Sequence, residues 1–457
     1  MPPSIIAPSP AAVSDIKVHV KSGHVHANIE DALVDARARF AVRNKTSLQM
    51  HEEATKSLPG GNTRSLLHTA PFPLYLKKGE DWKVFSEDGD VYTDLVGEMT
   101  AGLFGHSQPL IQQTLINTIQ NIGLNLGGTT VLESQLASHL SERFSLPLIR
   151  FTNSGTEANL HALQAAKYFT GKRKVVVFSG GYHGGCFSFP ESEPAVNCVD
   201  KEEWIVAEYN DIEDTRRKIE ESGDVAAVVV EGMQGHGPYL AGTSTFLQQV
   251  QTSAKKVGAV FILDEVMTSR LSGGGLKELE GLEPDIVTMG KYIGGGVTFG
   301  CFGGSKEVMR VYDPRENSGL AHSGTFNNNT LTLSAGFVGM SQIYTPDVAR
   351  EFNAMGDRFR EKLQKISEGT KMTVTGRGSL IGIHFLEDGR KELGNYRERK
   401  DIKELRELFW FEMMEEGFWV TQRVLLALIL GTPWEELERF AGAVEGFLKK
   451  YNSLVQL

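Results

Sequence analysis

Residues 284–296 have the sequence PDIVTMGKYIGGG, an apolar-rich run that leads to a lysine and a group of glycines. Similar apolar runs occupy residues 175–178, 225–230 and 260–263. Continuous rather than alternating apolar residues indicate strands buried on both faces, so these runs predict a mainly parallel sheet covered by helices. In such α/β sheets ligands bind beyond the carboxyl ends of the strands, and Lys291 follows one of these ends.

A helix start with small polar residues precedes these runs. Residues 153–158 have the sequence NSGTEA, and a helical apolar pattern follows them. Backbone N–H groups at a helix start point outward and favour negative charge, so Ser154, Gly155 and Thr156 predict an anion pocket. An ordinary N-cap is the alternative interpretation.

A glycine-rich loop follows the run at residues 175–178. Residues 178–185 have the sequence FSGGYHGG, in which the glycines would let a flat ligand approach the backbone. Tyr182 and His183 are then the large side chains that could stack on its ring. A plain loop is the alternative.

Two charged residues also follow buried strands. Asp264 comes directly after residues 260–263, where a carboxylate is costly unless paired, and a salt-bridged structural role is the alternative. Lys291 among glycines predicts a desolvated amine that attacks carbonyls, against the alternative of a solvated surface lysine. A phosphate pocket, a stacking ring, a carboxylate for a pyridinium nitrogen and a lysine for an aldehyde together predict pyridoxal phosphate as the cofactor.

Seven motifs occur in order along residues 35–450: PGGNTR (59–64), GHSQP (105–109), NSGTEAN (153–159), GGYHG (180–184), DEV (264–266), PDIVTMGKYIGGG (284–296) and HSGTFNNN (322–329). On these motifs the chain resembles a class III aminotransferase of pyridoxal-phosphate fold type I. It is most similar to the branch that contains glutamate-semialdehyde aminomutase and the β-amino-acid aminotransferases. The resemblance implies an α/β fold with a mainly parallel central sheet covered by helices, plus a smaller α+β domain from the two chain ends.

The resemblance also implies roles for individual residues. Lys291 would form the internal aldimine and carry the proton between substrate and cofactor, while Asp264 would keep the pyridine nitrogen protonated. The other implied cofactor contacts are Ser154, Gly155 and Thr156 on the phosphate, Tyr182 and Val266 on the two faces of the ring, and Glu231 near the ring. Thr325 would reach the phosphate of the partner subunit, which implies a homodimer with active sites at the interface.

Two arginines are implied to bind substrate. Arg64 matches the arginine that binds a substrate carboxylate in β-amino-acid aminotransferases, and Arg423 falls where those enzymes carry a second, mobile arginine. A planar guanidinium suits a carboxylate, but a surface charge is the alternative for Arg423 because its flanks depart from the family pattern. The function implied is transfer of an amino group from a β-amino acid or related amine to a 2-oxo acid by a ping-pong mechanism.

Other functions remain open from the sequence. One is an amine:pyruvate-type transaminase that needs no donor carboxylate, and another is a semialdehyde aminomutase, racemase or decarboxylase. The triplet His183-Gly184-Gly185 replaces the His-Gly-His usual in the aminomutase, which weakens that alternative. A relic that only binds the cofactor or a partner would need neither Lys291 nor Asp264.

The composition restricts the class of protein. The 457 residues include 47 Lys+Arg and 57 Asp+Glu, and the formal net charge of -10 argues against nucleic-acid binding. The three cysteines, Cys186, Cys198 and Cys301, lie outside any CxxC motif and indicate thiols in a reducing compartment rather than a disulfide or metal site. Neither a membrane span nor a secretory signal is recognisable, so the sequence predicts a cytoplasmic protein.

The predicted organisation has three parts. Residues 1–28 are a tail or arm, residues 29–99 and 345–457 form a small domain, and residues 100–344 form a large cofactor-binding domain. The small domain is predicted to contain one helix over residues 29–57, an antiparallel β unit from Leu74 and a strand over residues 380–385. The final helix is predicted to begin with a capping box made of Thr432 as N-cap, Pro433 at N1 and Glu435.

Overall fold

The computed structural model describes residues 28–190, 199–316 and 319–457, so Cys198 and residues 1–27 of the predicted tail lie outside the described residues. The α-helices of the described residues are α1 Ile29–Arg43, α2 Lys45–Ala54, α3 Pro109–Asn121, α4 Val131–Phe144, α5 Gly155–Thr170, α6 Ile212–Glu220, α7 Ser244–Lys256, α8 Leu276–Glu280, α9 Lys306–Met309, α10 Thr330–Val338, α11 Pro346–Ile366, α12 Lys403–Glu415, α13 Trp434–Lys450 and α14 Asn452–Val455. The strands are β1 Leu76–Glu80, β2 Lys83–Ser86, β3 Val91–Asp94, β4 Leu148–Thr152, β5 Lys174–Phe178, β6 Gly181–Tyr182, β7 Ser188–Phe189, β8 Trp204–Ala207, β9 Val225–Glu231, β10 Met233–Gln234, β11 Leu240–Ala241, β12 Val260–Asp264, β13 Ile286–Gly290, β14 Gly300–Gly304, β15 Met372–Arg377, β16 Leu380–Phe385, β17 Phe418–Trp419 and β18 Leu425–Ala427.

The central sheet has the strand order β4-β14-β13-β12-β9-β5-β8 within the described residues. Strands β13, β12, β9, β5 and β8 pair in parallel, whereas β14 is antiparallel to both β13 and β4. Every residue of β9, β12 and β13 is buried, as their continuous apolar runs predict. The predicted α/β fold with a mainly parallel sheet is therefore confirmed.

Strand β14 has the sequence GCFGG and carries no apolar run, so the sequence pattern did not predict it. Its glycines are required by the close approach of neighbouring backbone. A Cβ atom at Gly300 would collide with the carbonyl oxygen of Ser154, and one at Gly304 would collide with the carbonyl oxygen of Asp285. Backbone contact of this kind replaces side-chain packing in β14.

Five strands bring the predicted site residues to one edge of the sheet. Strand β9 ends on Glu231 and β12 ends on Asp264, while Ser154, Tyr182 and Lys291 follow β4, β5 and β13. Strand β4 runs in the same direction as β13, because β14 lies between them and is antiparallel to both. The carboxyl ends of all five strands therefore lie at the same edge, where α/β sheets bind ligands.

Smaller sheets join the two ends of the chain. Strands β1, β2 and β3 form the predicted antiparallel unit, which begins at Leu76 rather than Leu74. Strand β17, from the C-terminal part of the chain, pairs in parallel with β3. Strand β16 has the predicted bounds and lies between β15 and β18. The division into domains at residues 99/100 and 344/345 stays a prediction.

The predicted single helix over residues 29–57 is wrong, because the structure has two helices that meet at Asn44. Asn44 has φ −113 and ψ 50, and its side-chain amide donates to the carbonyl oxygen of Phe40, which ends α1. The carboxylate of Asp88 then accepts from the backbone N–H of Thr46 at 2.7 Å, which satisfies a free donor at the start of α2.

The predicted capping box at the last helix is also wrong. Helix α13 begins at Trp434, so Pro433 is the N-cap residue and offers no side-chain oxygen to the first turn. Thr432 lies one position too early, and its hydroxyl has no hydrogen-bond partner within the described residues. The helix is held instead by its apolar face, on which Leu437, Phe440 and Val444 are fully buried.

Candidate active site

A cavity of about 1380 Å³ lies at the carboxyl ends of the central strands. Ten of the predicted site residues line it: Arg64, Ser154, Gly155, Thr156, Tyr182, Glu231, Asp264, Val266, Lys291 and Arg423. Thr325 is not among its lining residues and is exposed at the surface of this chain. The fold thus gathers residues that are far apart in sequence around one space.

The start of helix α5 forms one wall of the cavity. Ser154 is the N-cap, and its hydroxyl accepts from the backbone N–H of Glu157 at 3.2 Å. The N–H groups of Gly155 and Thr156 have no partner within the helix, because first-turn donors lack a preceding turn. The N-cap interpretation and the anion-pocket interpretation are therefore compatible here.

Two glycines allow neighbouring segments to approach the start of α5 closely. A Cβ atom at Gly155 would lie 2.7 Å from the Cγ atoms of Val266, and one at Gly184 would lie 2.5 Å from the hydroxyl of Thr156. Gly184 also has a φ of 131°, which L-residues with a side chain rarely adopt. Substitution at either glycine would push side-chain atoms into the cradle around the helix start.

Asp264 is buried at the end of β12, and its carboxylate has fixed partners. Oδ2 accepts from Asn159 Nδ2 at 2.8 Å and lies 2.8 Å from His183 Nδ1. Oδ1 accepts from the backbone N–H of Val266 at 3.0 Å. Neutral donors and a histidine therefore orient this carboxylate, and no arginine or lysine side chain of the described residues forms a salt bridge with it.

His183 is a partner of Asp264 rather than an exposed stacking ring, which corrects the sequence expectation. Its side chain is 3% exposed, and its backbone carbonyl accepts from Asn159 Nδ2 at 3.0 Å. Burial acts to lower the pKa of His183, but the hydrogen bond and charge of Asp264 outweigh it, so the pKa is raised. A raised pKa favours a positively charged imidazole beside the carboxylate.

Tyr182 is 40% exposed and keeps a ring face on the cavity. Its ring stacks on His236, with centroids 5.5 Å apart and planes 11° apart. Sequence reasoning missed His236, although its place in the glycine-flanked segment QGHG after β9 resembles that of Tyr182 after β5. Contact of Tyr182 with a cofactor ring stays a prediction.

Glu231 joins the two loops that carry this aromatic pair. Its Oε2 accepts from the backbone N–H of Tyr182 at 2.9 Å, and its Oε1 accepts from the backbone N–H of Gly235 at 2.8 Å. Burial raises the pKa of Glu231 to about 7. The sequence indicated an acidic residue near the ring, and the structure shows a carboxylate that holds backbone on both sides.

Lys291 follows β13 with a φ of 56°, in the left-handed region that side-chain-bearing residues rarely adopt. Such conformations persist only where the surroundings enforce them, and they concentrate at functional sites. Burial lowers the pKa of Lys291, which raises the fraction of neutral amine. Since the side chain is partly buried and lines the cavity, the alternative of a solvated surface lysine does not hold.

The two arginines reach the cavity from different segments. Arg64 pairs with Glu98, whose Oε1 lies 2.5 Å from Arg64 Nη1. Arg423 donates to the backbone carbonyl of His236, and burial lowers its pKa. Arg423 is therefore not a solvated surface charge, and its unfamiliar flanking sequence did not indicate its position.

The donor set fits pyridoxal phosphate, whose site would combine these features. A phosphate suits the N–H groups and hydroxyls at the start of α5, where glycines leave the room that Cβ atoms would fill. A pyridine nitrogen suits the fixed carboxylate of Asp264, and an aldehyde suits the amine of Lys291.

Within the described ranges no group of three His, Cys, Asp or Glu side chains is arranged to hold a metal ion. The helices of those ranges include none that is long and apolar enough to cross a membrane.

The comparisons with known proteins agree on one family. The family model for class-III aminotransferases matches residues 67–423. An uncharacterised aminotransferase of Schizosaccharomyces pombe is 45% identical and covers 92% of this chain and 96% of its own length. The β-phenylalanine transaminase of Variovorax paradoxus is 42% identical and covers 94% of this chain and 99% of its own length.

Solved structures also match this chain over most of its length. The crystal structure of a β-phenylalanine aminotransferase from Variovorax paradoxus superimposes with a TM-score of 0.91 at 41% identity, covering 94% of this chain and 99% of that chain. A transaminase structure with bound pyridoxal phosphate superimposes with a TM-score of 0.80 at 25% identity, covering 90% and 99%. The chain therefore belongs to the class-III aminotransferase family and is a transaminase with pyridoxal phosphate as its cofactor.

Proposed function

We propose that the protein transfers an amino group from a β-amino acid to a 2-oxo acid, and that Arg64 binds the carboxylate of the donor. The observation that carries the proposal is the position of Arg64, whose half-exposed guanidinium lines the same cavity as Lys291. A guanidinium and an amine on one cavity suit a substrate that carries a carboxylate and a reacting carbon. The similarity to a β-phenylalanine transaminase supports the same substrate class.

The side chains around the cavity suggest a division of tasks. Pyridoxal phosphate, when bound, supplies an electron sink for the carbon that loses its proton. Lys291, whose pKa is lowered by burial, is proposed to take up and return that proton. Asp264 is proposed to hold a proton on the pyridine nitrogen, because its carboxylate is fixed by Asn159 and His183.

Other residues are proposed to bind and orient the cofactor. Ser154, Gly155 and Thr156 would hold the phosphate, and Tyr182 and Val266 would contact the two faces of the ring. Glu231 would keep Tyr182 in place through its backbone N–H. Arg423 is proposed to bind the second carboxylate of a dicarboxylic 2-oxo acid acceptor, since it lies on the cavity beside the Tyr182–His236 pair.

We further propose a homodimer in which Thr325 contacts the cofactor phosphate of the partner subunit. In support, Thr325 and Phe326 are exposed and do not line the cavity of their own chain. A patch of exposed apolar side chains also extends from α3 to the start of α4: Leu110, Ile116, Ile119, Ile122, Leu124, Leu126 and Val131. Apolar patches of this kind mark interaction sites. The cysteine pattern, which is typical of a reducing compartment, supports the proposed cytoplasmic location.

A second candidate is an amine transaminase that needs no donor carboxylate. The ion pair between Arg64 and Glu98 favours it, because Arg64 already has a carboxylate partner within the chain. The two functions differ in whether Arg64 contributes to the binding of carboxylated donors.

A donor panel on wild type and Arg64→Ala distinguishes them. With β-phenylalanine as donor, Arg64→Ala should raise KM roughly ten- to a hundredfold, the loss of a charge-assisted pair worth about 1.5–3 kcal/mol. With 1-phenylethylamine, which has no carboxylate, KM should stay within about twofold. Arg350→Ala removes an exposed ion pair with Asp347 on α11 and serves as the matched control. High activity on 1-phenylethylamine, with β-phenylalanine unaffected by Arg64→Ala, would favour the amine transaminase.

A further inference from the structure

Glu98 places a carboxylate of the chain itself on the guanidinium of Arg64. Arg64 Nη1 lies 2.5 Å from Glu98 Oε1, and both side chains line the cavity. This is the contact that the carboxylate of a donor would make at the same guanidinium. The two side chains are 49% and 54% exposed, so the pair is of the weak, solvated kind that a ligand can displace.

The backbone that carries Glu98 has an unusual conformation. Gly97, Glu98, Met99 and Thr100 have φ values of 50°, 47°, 53° and 81°. A run of left-handed residues with side chains is unfavourable for L-amino acids, so it persists only where the surroundings enforce it. Glu98 and Met99, in the middle of this turn, both line the cavity.

Contacts on both sides hold the left-handed turn in place. The carboxylate of Asp94 accepts from the backbone N–H groups of Val96 at 2.7 Å and Gly97 at 3.1 Å. Gly97 packs against β18 so closely that a Cβ atom there would lie 2.5 Å from the carbonyl oxygen of Ala427. Thr100, at the other end of the turn, is buried. The backbone is thus fixed, and the side chain of Glu98 is the part that can turn away from Arg64.

We propose that Glu98 competes with the substrate carboxylate for Arg64, and that this competition sets how strongly the site prefers carboxylated donors over simple amines. The inference rests on the proposed function, in which Arg64 binds that carboxylate. A carboxylated ligand must turn Glu98 out to solvent, whereas an amine without a carboxylate leaves the ion pair intact. Glu98 therefore weakens the binding of carboxylated ligands and leaves that of simple amines unchanged.

Binding of a non-reacting carboxylate to the holoenzyme tests this competition. The probe is 3-phenylpropionate, which has no amino group, and its Kd is measured by isothermal titration calorimetry. Glu98→Gln keeps the side-chain size and removes the charge, so the Kd should fall about two- to fivefold, the factor expected for an exposed ion pair. Glu80→Gln is the matched control, because Glu80 forms an equally exposed pair with Lys78 outside the cavity. It should leave the Kd unchanged.

The same titration in an Arg64→Ala background separates competition from general charge repulsion. Arg64→Ala should weaken binding roughly ten- to a hundredfold, and Glu98→Gln should then add no change. A tightening by Glu98→Gln that persists without Arg64 would overturn the proposal, as would an unchanged Kd in the single variant. Unchanged binding in Arg64→Ala alone would instead contradict the proposed function.

Steady-state kinetics provide a second readout. Glu98→Gln should lower KM for β-phenylalanine by the same two- to fivefold factor and leave KM for 1-phenylethylamine unaltered. A merely structural role for Glu98 would shift both values together, and that result would overturn the proposal.

Discussion

His183 Nδ1 lies 2.8 Å from Asp264 Oδ2, and both of these buried residues line the cavity. The same oxygen accepts from Asn159, and the other carboxylate oxygen accepts from the backbone N–H of Val266. Each oxygen of Asp264 thus faces donors on the protein side. This arrangement fixes the carboxylate plane and makes an amide at position 264 a poor replacement.

Asp264→Asn should therefore lose both stability and rate. The new NH₂ group must face at least one donor, which costs about 1–3 kcal/mol of folding free energy. The rate per folded molecule should also fall strongly, because a neutral amide does not hold a proton on the pyridine nitrogen. Urea unfolding and active-site-normalised kcat check the two effects. Asp285→Asn, directly before the neighbouring strand β13, where the carboxylate accepts from Phe261 N–H, should lose stability only.

Lys291→Ala should abolish turnover while the protein keeps its fold. Borohydride treatment should attach the cofactor covalently to the wild type and leave the variant unlabelled, which mass spectrometry detects. Lys277→Ala is the matched control, since burial lowers the pKa of Lys277 as well but its side chain does not line the cavity. Transaminase activity in Lys291→Ala at the wild-type level would contradict the proposed role.

Glu231 should make stability fall as the pH rises. Its pKa is about 7 in the fold, above the usual value of 4.5, because the carboxyl group is buried. The folded state therefore binds a proton that the unfolded chain has already released. The stabilisation is complete below about pH 4.5 and is lost as the pH passes 7, amounting to about 3 kcal/mol.

Urea unfolding at pH 5 and pH 7.5 measures this effect. Wild type should lose more free energy of unfolding between the two pH values than Glu231→Gln, which cannot titrate. Glu53→Gln, at a 73% exposed position on α2, should behave like the wild type. Equal pH dependence in wild type and Glu231→Gln would show that Glu231 is charged in the fold throughout this range.

Arg423→Ala should impair the acceptor half-reaction more than the donor half-reaction. If its guanidinium binds the second carboxylate of an acceptor, KM for 2-oxoglutarate should rise roughly ten- to a hundredfold. KM for pyruvate, which lacks that carboxylate, should change little. An equal rise for both acceptors would indicate that Arg423 only supports the Tyr182–His236 wall.

The proposed dimer should depend on the apolar patch between α3 and α4. Light scattering should give twice the mass of the chain for the wild type, whereas Ile119→Glu, at a 52% exposed position in the patch, should give the monomer. Leu279→Glu on α8, where the side chain is 45% exposed outside the patch, is the control and should remain dimeric. Thr325→Ala should keep the dimer and weaken cofactor binding. A fully active monomer would contradict a role for Thr325 across subunits.

The local sequence determined the central strands and the residues that follow them. Runs such as residues 225–230 and 260–263 are apolar at every position because strands buried on both faces need no polar side. Polar residues that follow such runs, as Asp264 and Lys291 do, therefore indicated the ligand-binding edge. Strand β14 could not be predicted in this way. Its glycines are required by close backbone contacts with Ser154 and Asp285, and the local sequence pattern does not show these contacts.

The tertiary structure alone decided which side chains act together. His183 and Asp264 are 81 positions apart, Asn159 and Asp264 are 105 apart, and Arg64 and Glu98 are 34 apart. Hydrogen bonds and ion pairs act over about 3 Å, so they depend on how strands and loops are packed and not on spacing along the chain. The pattern of apolar residues indicates the burial of each helix or strand separately. Which side chains become partners is decided only when the sheet brings the ends of its strands together.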